Sequence, residues 1–135
     1  MSHRISWPIR FGDCDPSGIA YFPAYMNILV GVSESFFEHI GFPWPELIRE
    51  RDVVTPTVTL ELDFVKPGYH GDMLDFDLEI LRVGSSSVDI KYLVSNRGET
   101  LWTARQRLVL MSRVTHKSEA WPAELRQALL SYLEA

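Results

Sequence analysis

The chain has 135 residues, 46% of them hydrophobic, enough for one packed domain over residues 1–135, and a net charge of -5 from 18 acidic against 13 scattered basic residues, which disfavours nucleic acid as a partner. No apolar stretch approaches the roughly 18 residues of a spanning helix, no apolar leader is read at the start, and the lone Cys14 cannot form an intrachain disulfide, so a soluble cytoplasmic protein without membrane attachment is expected. His3, His39, His70 and His116 lie far apart and none is three or four residues from another, so no metal site is predicted.

Along the chain, Ile5, Trp7, Ile9 and Phe11 alternate with polar residues and Pro8, which predicts a strand at a sheet edge or with an irregularity. The Asp15-Pro16-Ser17-Gly18 turn follows. Pro23 then suits the first turn of a helix running to about His39 or Ile40 and stopped by Gly41. Tyr25, Leu29, Val32, Phe36 and Ile40 keep helical spacing over some 18 residues, about 27 Å of rod, and predict a central element. Residues 42–51 read as a connection with a short helical turn. From Thr57 the period becomes two: Val58, Leu60, Leu62 and Phe64, then Leu74 to Ile80, then Val88 to Val94, with turns at Gly84-Ser85-Ser86 and Asn96-Arg97-Gly98. A last strand from about Thr100 to Arg113 leads to a helix beginning near Pro122. The order predicts an α+β domain in which an antiparallel sheet, a four-stranded meander plus the N-terminal strand, wraps one long helix. Its open edges invite pairing into a homodimer.

Chemistry-bearing residues concentrate at 11–25. Asp13-x-Asp15-x-Ser17-Gly18 opens like a calcium loop, but position twelve is Ala24 instead of Glu, and Pro16 interrupts it. A phosphotransfer Asp would need a doubly wound parallel sheet, which the hairpin pattern opposes. Carboxylates beside Cys14 disfavour its thiolate, so it reads as a packing residue. Gly31-Val32-Ser33-Glu34-Ser35 lacks the final Gly of a nucleophile elbow and falls within a helix. Two readings of Asp15 remain open: a good turn residue and nothing more, or a general base or nucleophile just before a helix start whose free N–H groups polarise a carbonyl.

The run Phe11-Gly12-Asp13-Cys14-Asp15-Pro16-Ser17-Gly18-Ile19-Ala20-Tyr21-Phe22-Pro23-Ala24-Tyr25 resembles the 4-hydroxybenzoyl-CoA thioesterase family of hotdog proteins, with looser similarity through Gly41-Phe42-Pro43, Thr55-Pro56, Phe64, Pro67 and Asp72. The resemblance implies a hotdog fold, a five-stranded antiparallel sheet wrapped around a long helix, in a homodimer or homotetramer with sites at subunit interfaces. It implies an acyl-CoA thioesterase in which Asp15 attacks the thioester or activates water and the Phe22 N–H binds the carbonyl oxygen. Pro23 offers no N–H. No cofactor is implied, since a thioester is already activated. The same resemblance marks Tyr21, Tyr25, Val30 and Thr55 around the acyl group. For CoA, Ser87 is the position that matches, and Lys66 or Arg82 is expected to supply the positive charge.

Two departures stand out. Val30 occupies a helix position that is often acidic in the family and cannot accept a hydrogen bond from a hydroxyl, so a plain aromatic or a short to medium aliphatic acyl group fits as well as 4-hydroxybenzoyl, unless Glu34 substitutes. Gly84 and Ser85 stand where some relatives offer arginines to the CoA phosphates. The alternatives are an acyl-CoA hydratase or dehydratase, expected to need a His near the helix, and a non-catalytic acyl-CoA binding module.

Overall fold

The computed structural model describes residues 2–133. Five strands, β1 (His3–Pro8), β3 (Thr57–Phe64), β4 (Met73–Val83), β5 (Ser87–Asn96) and β6 (Glu99–Val109), form one antiparallel sheet in the order β1-β4-β5-β6-β3. A short ribbon, β2 (Val53–Val54) with β7 (Met111–Ser112), stands apart, and three helices complete the fold: α1 (Phe22–His39), α2 (Trp44–Arg51) and α3 (Ala123–Leu130).

The long helix carries Gly31, Val32 and Ile28, none a strong helix former, at a cost of about 1 kcal/mol for the glycine. Burial outweighs it. Tyr25, Leu29, Val32, Phe36 and Phe37 pack onto Phe76, Tyr92 and Trp102 in one core, each worth roughly 1.5–3 kcal/mol. Tyr25 lies 4.9 Å from Trp102, centroid to centroid. Gly31 has a packing reason: a Cβ there would come within 2.7 Å of the Trp7 ring on β1. The helix ends at Gly41, whose φ of +92° suits glycine.

The expected α+β hotdog arrangement is present, with four differences in detail. β1 stops at Pro8, and residues 11–13 make a 3-10 turn that leaves Phe11 80% exposed instead of facing a core. Residues 44–51 form a true two-turn helix, with Pro45 in its first turn. The last strand breaks at Leu110, and Met111–Ser112 leaves the sheet for Val53–Val54. The fourth is topological: β3 does not flank β4 but pairs with β6, and β1 takes the flank of β4, so the strands are not a simple meander. The link 65–72 makes the crossing, held by Leu101 O at its start and by Ile9 O near its end. The two-residue turn Arg97-Gly98 has both residues at positive φ (50° and 81°), matching the twist of a β-hairpin.

Candidate active site

Residues 14–20 form a miniature hairpin with Asp15 near its tip. Cys14 bridges to Ala20, the Asp15 N–H donates to Ile19 O at 3.0 Å, and the Gly18 N–H closes the turn on Asp15 O at 2.9 Å. Gly18 sits at φ +83°, which explains the glycine. The hairpin rests on the crossing link: Ala20 N–H to Gly68 O at 2.8 Å, His70 N–H to Gly18 O at 3.1 Å, and a bridge between Ile19 and Tyr69. Gly68 is buried and admits no side chain, because a Cβ there would collide with the Tyr25 hydroxyl and come within 2.7 Å of Ile9 Cδ1.

The Asp15 carboxylate is exposed, and its Oδ1 accepts from both the Ser17 hydroxyl and the Ser17 N–H, the latter at 2.9 Å. These two bonds, the hydroxyl first, hold its carboxyl below the usual aspartate range, so it is ionised at neutral pH. Oδ2 takes no hydrogen bond among the described residues. The turn reading and the chemical reading of Asp15 are therefore compatible: one oxygen builds the turn while the other stays open.

Four residues after Gly18, α1 begins. Its capping residue Tyr21 provides no side-chain hydrogen bond, Pro23 has no N–H, and the Ala24 N–H is used by Tyr21 O at 3.0 Å. The Phe22 N–H finds no acceptor among the described residues. A free donor at a helix N-terminus, in the positive end of the helix dipole, suits a developing oxyanion. Phe22, Tyr25, Phe64, Lys66 and Pro67 line an open, mostly apolar cavity of about 380 Å³ beside it. Cys14 is half-buried, and burial, then Asp13, Asp15 and Asp72, push its thiol up, so it is no thiolate nucleophile. No group of three or more metal-ligating side chains occurs among the described residues.

The sequence pattern of the thioesterase-like superfamily matches residues 9–129. The chain belongs to this superfamily. Its enzyme class, thioester hydrolase, and its resemblance to hotdog thioesterases both hold. It is similar to the 1,4-dihydroxy-2-naphthoyl-CoA hydrolase of Rippkaea orientalis, 29% identical over 126 residues and 91% of each chain. A 4-hydroxybenzoyl-CoA thioesterase of a Pseudomonas species is 39% identical over 71 residues, 51% of this chain and 50% of that one. A solved structure from the thioesterase superfamily of a Jannaschia species superposes with a TM-score of 0.91 at 24% identity, covering 99% of this chain and 94% of the other.

In this thioesterase the expected site residues fall into two groups. Tyr21, Phe22, Tyr25 and Lys66 gather with Asp15 at one end of the sheet. Lys66, expected to attract CoA, is already ion-paired with Glu99. Val30, 52% exposed, lies midway along the outward face of α1. Thr55 precedes β3, and Arg82 and Ser87 flank the β4–β5 turn, all at the opposite end. From Met73 to Arg82 there are nine residue steps, roughly 30 Å of strand. Within one protomer the second group does not meet Asp15. Thr55 does line a cavity of about 260 Å³ with Trp44, Ile48, Val54 and Pro56, a lining without a charged side chain. Ser17 and Gly68, which hold Asp15 in place, carry no sequence signal beyond ordinary turn chemistry.

Proposed function

We propose that this thioesterase hydrolyses an aryl-CoA thioester, with Asp15 Oδ2 as nucleophile or general base and the Phe22 N–H as oxyanion donor. The observation that carries the reading is the pairing of an ionised carboxylate, half of it unengaged, with an unoccupied N–H at the helix start. Oδ2 either attacks the carbonyl carbon, giving an acyl-aspartyl anhydride that water then cleaves, or takes a proton from a water that attacks instead. In both routes the carbonyl oxygen becomes an oxyanion held by Phe22, and its collapse expels the CoA thiolate. The relatives named for 1,4-dihydroxy-2-naphthoyl-CoA and 4-hydroxybenzoyl-CoA favour an aromatic acyl group. Val30 and the uncharged cavity beside Thr55 favour one with fewer polar substituents.

The proposed working unit is a homodimer or homotetramer, with the whole of residues 1–135 as one hotdog domain. β3 is a sheet edge with Val58 and Phe64 more than half exposed, and joining it to a second copy in antiparallel fashion brings the Thr55 and Arg82 end of one protomer to the Asp15 end of the other. Among the described residues no helix is long and apolar enough to cross a membrane.

Asp15→Asn is expected to lower hydrolysis at least about 100-fold in a thiol-release assay across aromatic and straight-chain acyl-CoAs, with folding intact by circular dichroism. Turnover like that of the unmodified protein would sink the mechanism. Thiol release from none of the panel would favour the binding-module reading. A hydratase would need an imidazole beside the carboxylate; among the described residues His70 comes to this end, and its ring packs edge-on against Phe11.

A further inference from the structure

A polar chain runs from the centre of the core to the start of β3. Tyr92 on β5 is fully buried, and its hydroxyl donates to Gln106 Oε1 on β6 at 2.6 Å. Gln106, itself buried, donates from Nε2 to Thr57 Oγ1 at 2.9 Å. Burial pushes the Tyr92 phenol up, so it keeps its proton and acts as the donor. The direction of the chain follows. Oε1 can only accept, so the amide presents Nε2 to Thr57, whose oxygen accepts and whose own proton is left over. Thr57 is exposed, and its hydroxyl donates to nothing among the described residues.

Packing alone does not account for this arrangement. Burying a phenol and an amide beside Phe76, Ile90 and Trp102 costs about 1–3 kcal/mol for each group left unbonded, a cost that an apolar pair would not carry. Thr57 is also turned out of its strand's pattern. By alternation it belongs with Thr59, Glu61 and Asp63 on the outer face of the sheet. A β-bulge between Thr57 and Thr59 shifts the register: Thr57 pairs with the buried Leu108 and Thr59 with Arg107, so the threonine joins the inner face beside Gln106. Bulges re-aim side chains in this way, and here the re-aimed group is a hydroxyl with its proton free.

The inner face of β3 carries Phe64 at its other end, stacked on Tyr25 with centroids 6.1 Å apart and lining the cavity beside Phe22. Two copies joined in antiparallel fashion through β3 lie end for end, so the Thr57 end of one protomer meets the Phe64 end of the other. Thr55 and Pro56, just before Thr57, line the uncharged cavity of about 260 Å³. We propose that Thr57 determines specificity by donating its hydroxyl proton to an acceptor oxygen on the ring of the acyl group bound at the Asp15 end of the other protomer, with Gln106 and Tyr92 as positioning residues. The inference rests on the aryl-CoA thioesterase reading and its β3 pairing. It narrows the substrate to an otherwise apolar ring that bears an acceptor.

The test compares 2-, 3- and 4-methoxybenzoyl-CoA, each with the ethylbenzoyl-CoA substituted at the same position. The two members of a pair have nearly the same shape, but only the methoxy oxygen accepts a hydrogen bond. In the unmodified protein kcat/KM should favour the methoxy member of at least one pair. Thr57→Val should lower that ratio about 5-fold, Thr57→Ser should keep it, and Gln106→Met should lower it as well. Thr57→Val lies at an exposed position, so it stands if Gln106→Met fails to fold. No preference in any pair, or a loss in Thr57→Val that is equal for both members, overturns the proposal. A ratio kept by folded Gln106→Met overturns the part given to the buried pair. The same ratios are read by calorimetric binding to the Asp15→Asn protein, where the thioester outlasts the titration. A binding preference that Thr57→Val abolishes, in a protein whose unmodified form releases no thiol, supports the Thr57 contact and sinks the thioesterase reading alone. Binding of none of the six overturns both.

Discussion

At the scale of single residues, Asp15 Oδ1 builds the turn while Oδ2 stays open for the chemistry proposed for it, and Ser17 couples the two. Hydrogen bonds from the Ser17 hydroxyl and N–H favour the charged carboxylate and lower its pKa. On the proposed mechanism activity needs the charged form, so it is present above that pKa and lost as pH falls through it. The rate should stay level from neutrality down past the ordinary aspartate value of about 3.9, as far as the fold survives. In Ser17→Ala the largest stabilising contact goes, and the acid limb should move to higher pH in a kcat/KM profile. An acid limb near pH 6 in the unmodified enzyme would mean that another group is the base. Cys14 has the opposite environment, and its elevated thiol pKa makes it a bystander despite lying next to Asp15.

At the scale of elements, the crossing link decides where the hairpin sits. Gly68→Ala would press a methyl group into the Tyr25 hydroxyl and Ile9, both buried, so the link or the helix start must yield. The expected cost is about 1–3 kcal/mol, read as a lower midpoint in urea, with kcat falling more than KM changes because Phe22 and Asp15 lose their register. Stability and kcat both unchanged would mean that the floor is softer than its packing suggests. The long helix was legible in the sequence because Tyr25, Leu29, Val32 and Phe36 repeat at the helical period, and so was the Asp-Pro-Ser-Gly turn. The neighbour of β3 was not. Alternation in Val58, Leu60, Leu62 and Phe64 reports a face but names no partner, and the crossing that carries β3 to β6 lies in eight residues without periodicity. Lys66 and Glu99 are 33 positions apart, so nothing local announced that the lysine was engaged. The bond from Arg126 to Gly84 O, which spans 42 positions, is hidden from local pattern in the same way.

For the whole molecule, the exposed edge is the feature with the largest consequence. Val58 is 55% exposed, Phe64 54% and Val65 62%, on or just after a strand with one open side. Light scattering should give the mass of a dimer or a tetramer at micromolar concentration. Val58→Asp, which places a charge on that edge, should shift the distribution to monomer and lower activity per chain at least about 10-fold. A Val58→Asp monomer with full activity would show that one copy suffices. The roughly 30 Å of β4 that separates Arg82 from Met73, at the end where Asp15 lies, has a genetic reading as well. A chain carrying Asp15→Asn still has its own Thr55 and Arg82 end, and a chain in which that end is disabled still has its own Asp15. Each supplies what the other lacks, so two defective alleles expressed together should complement, restoring one working centre in every mixed pair, although neither allele alone does so.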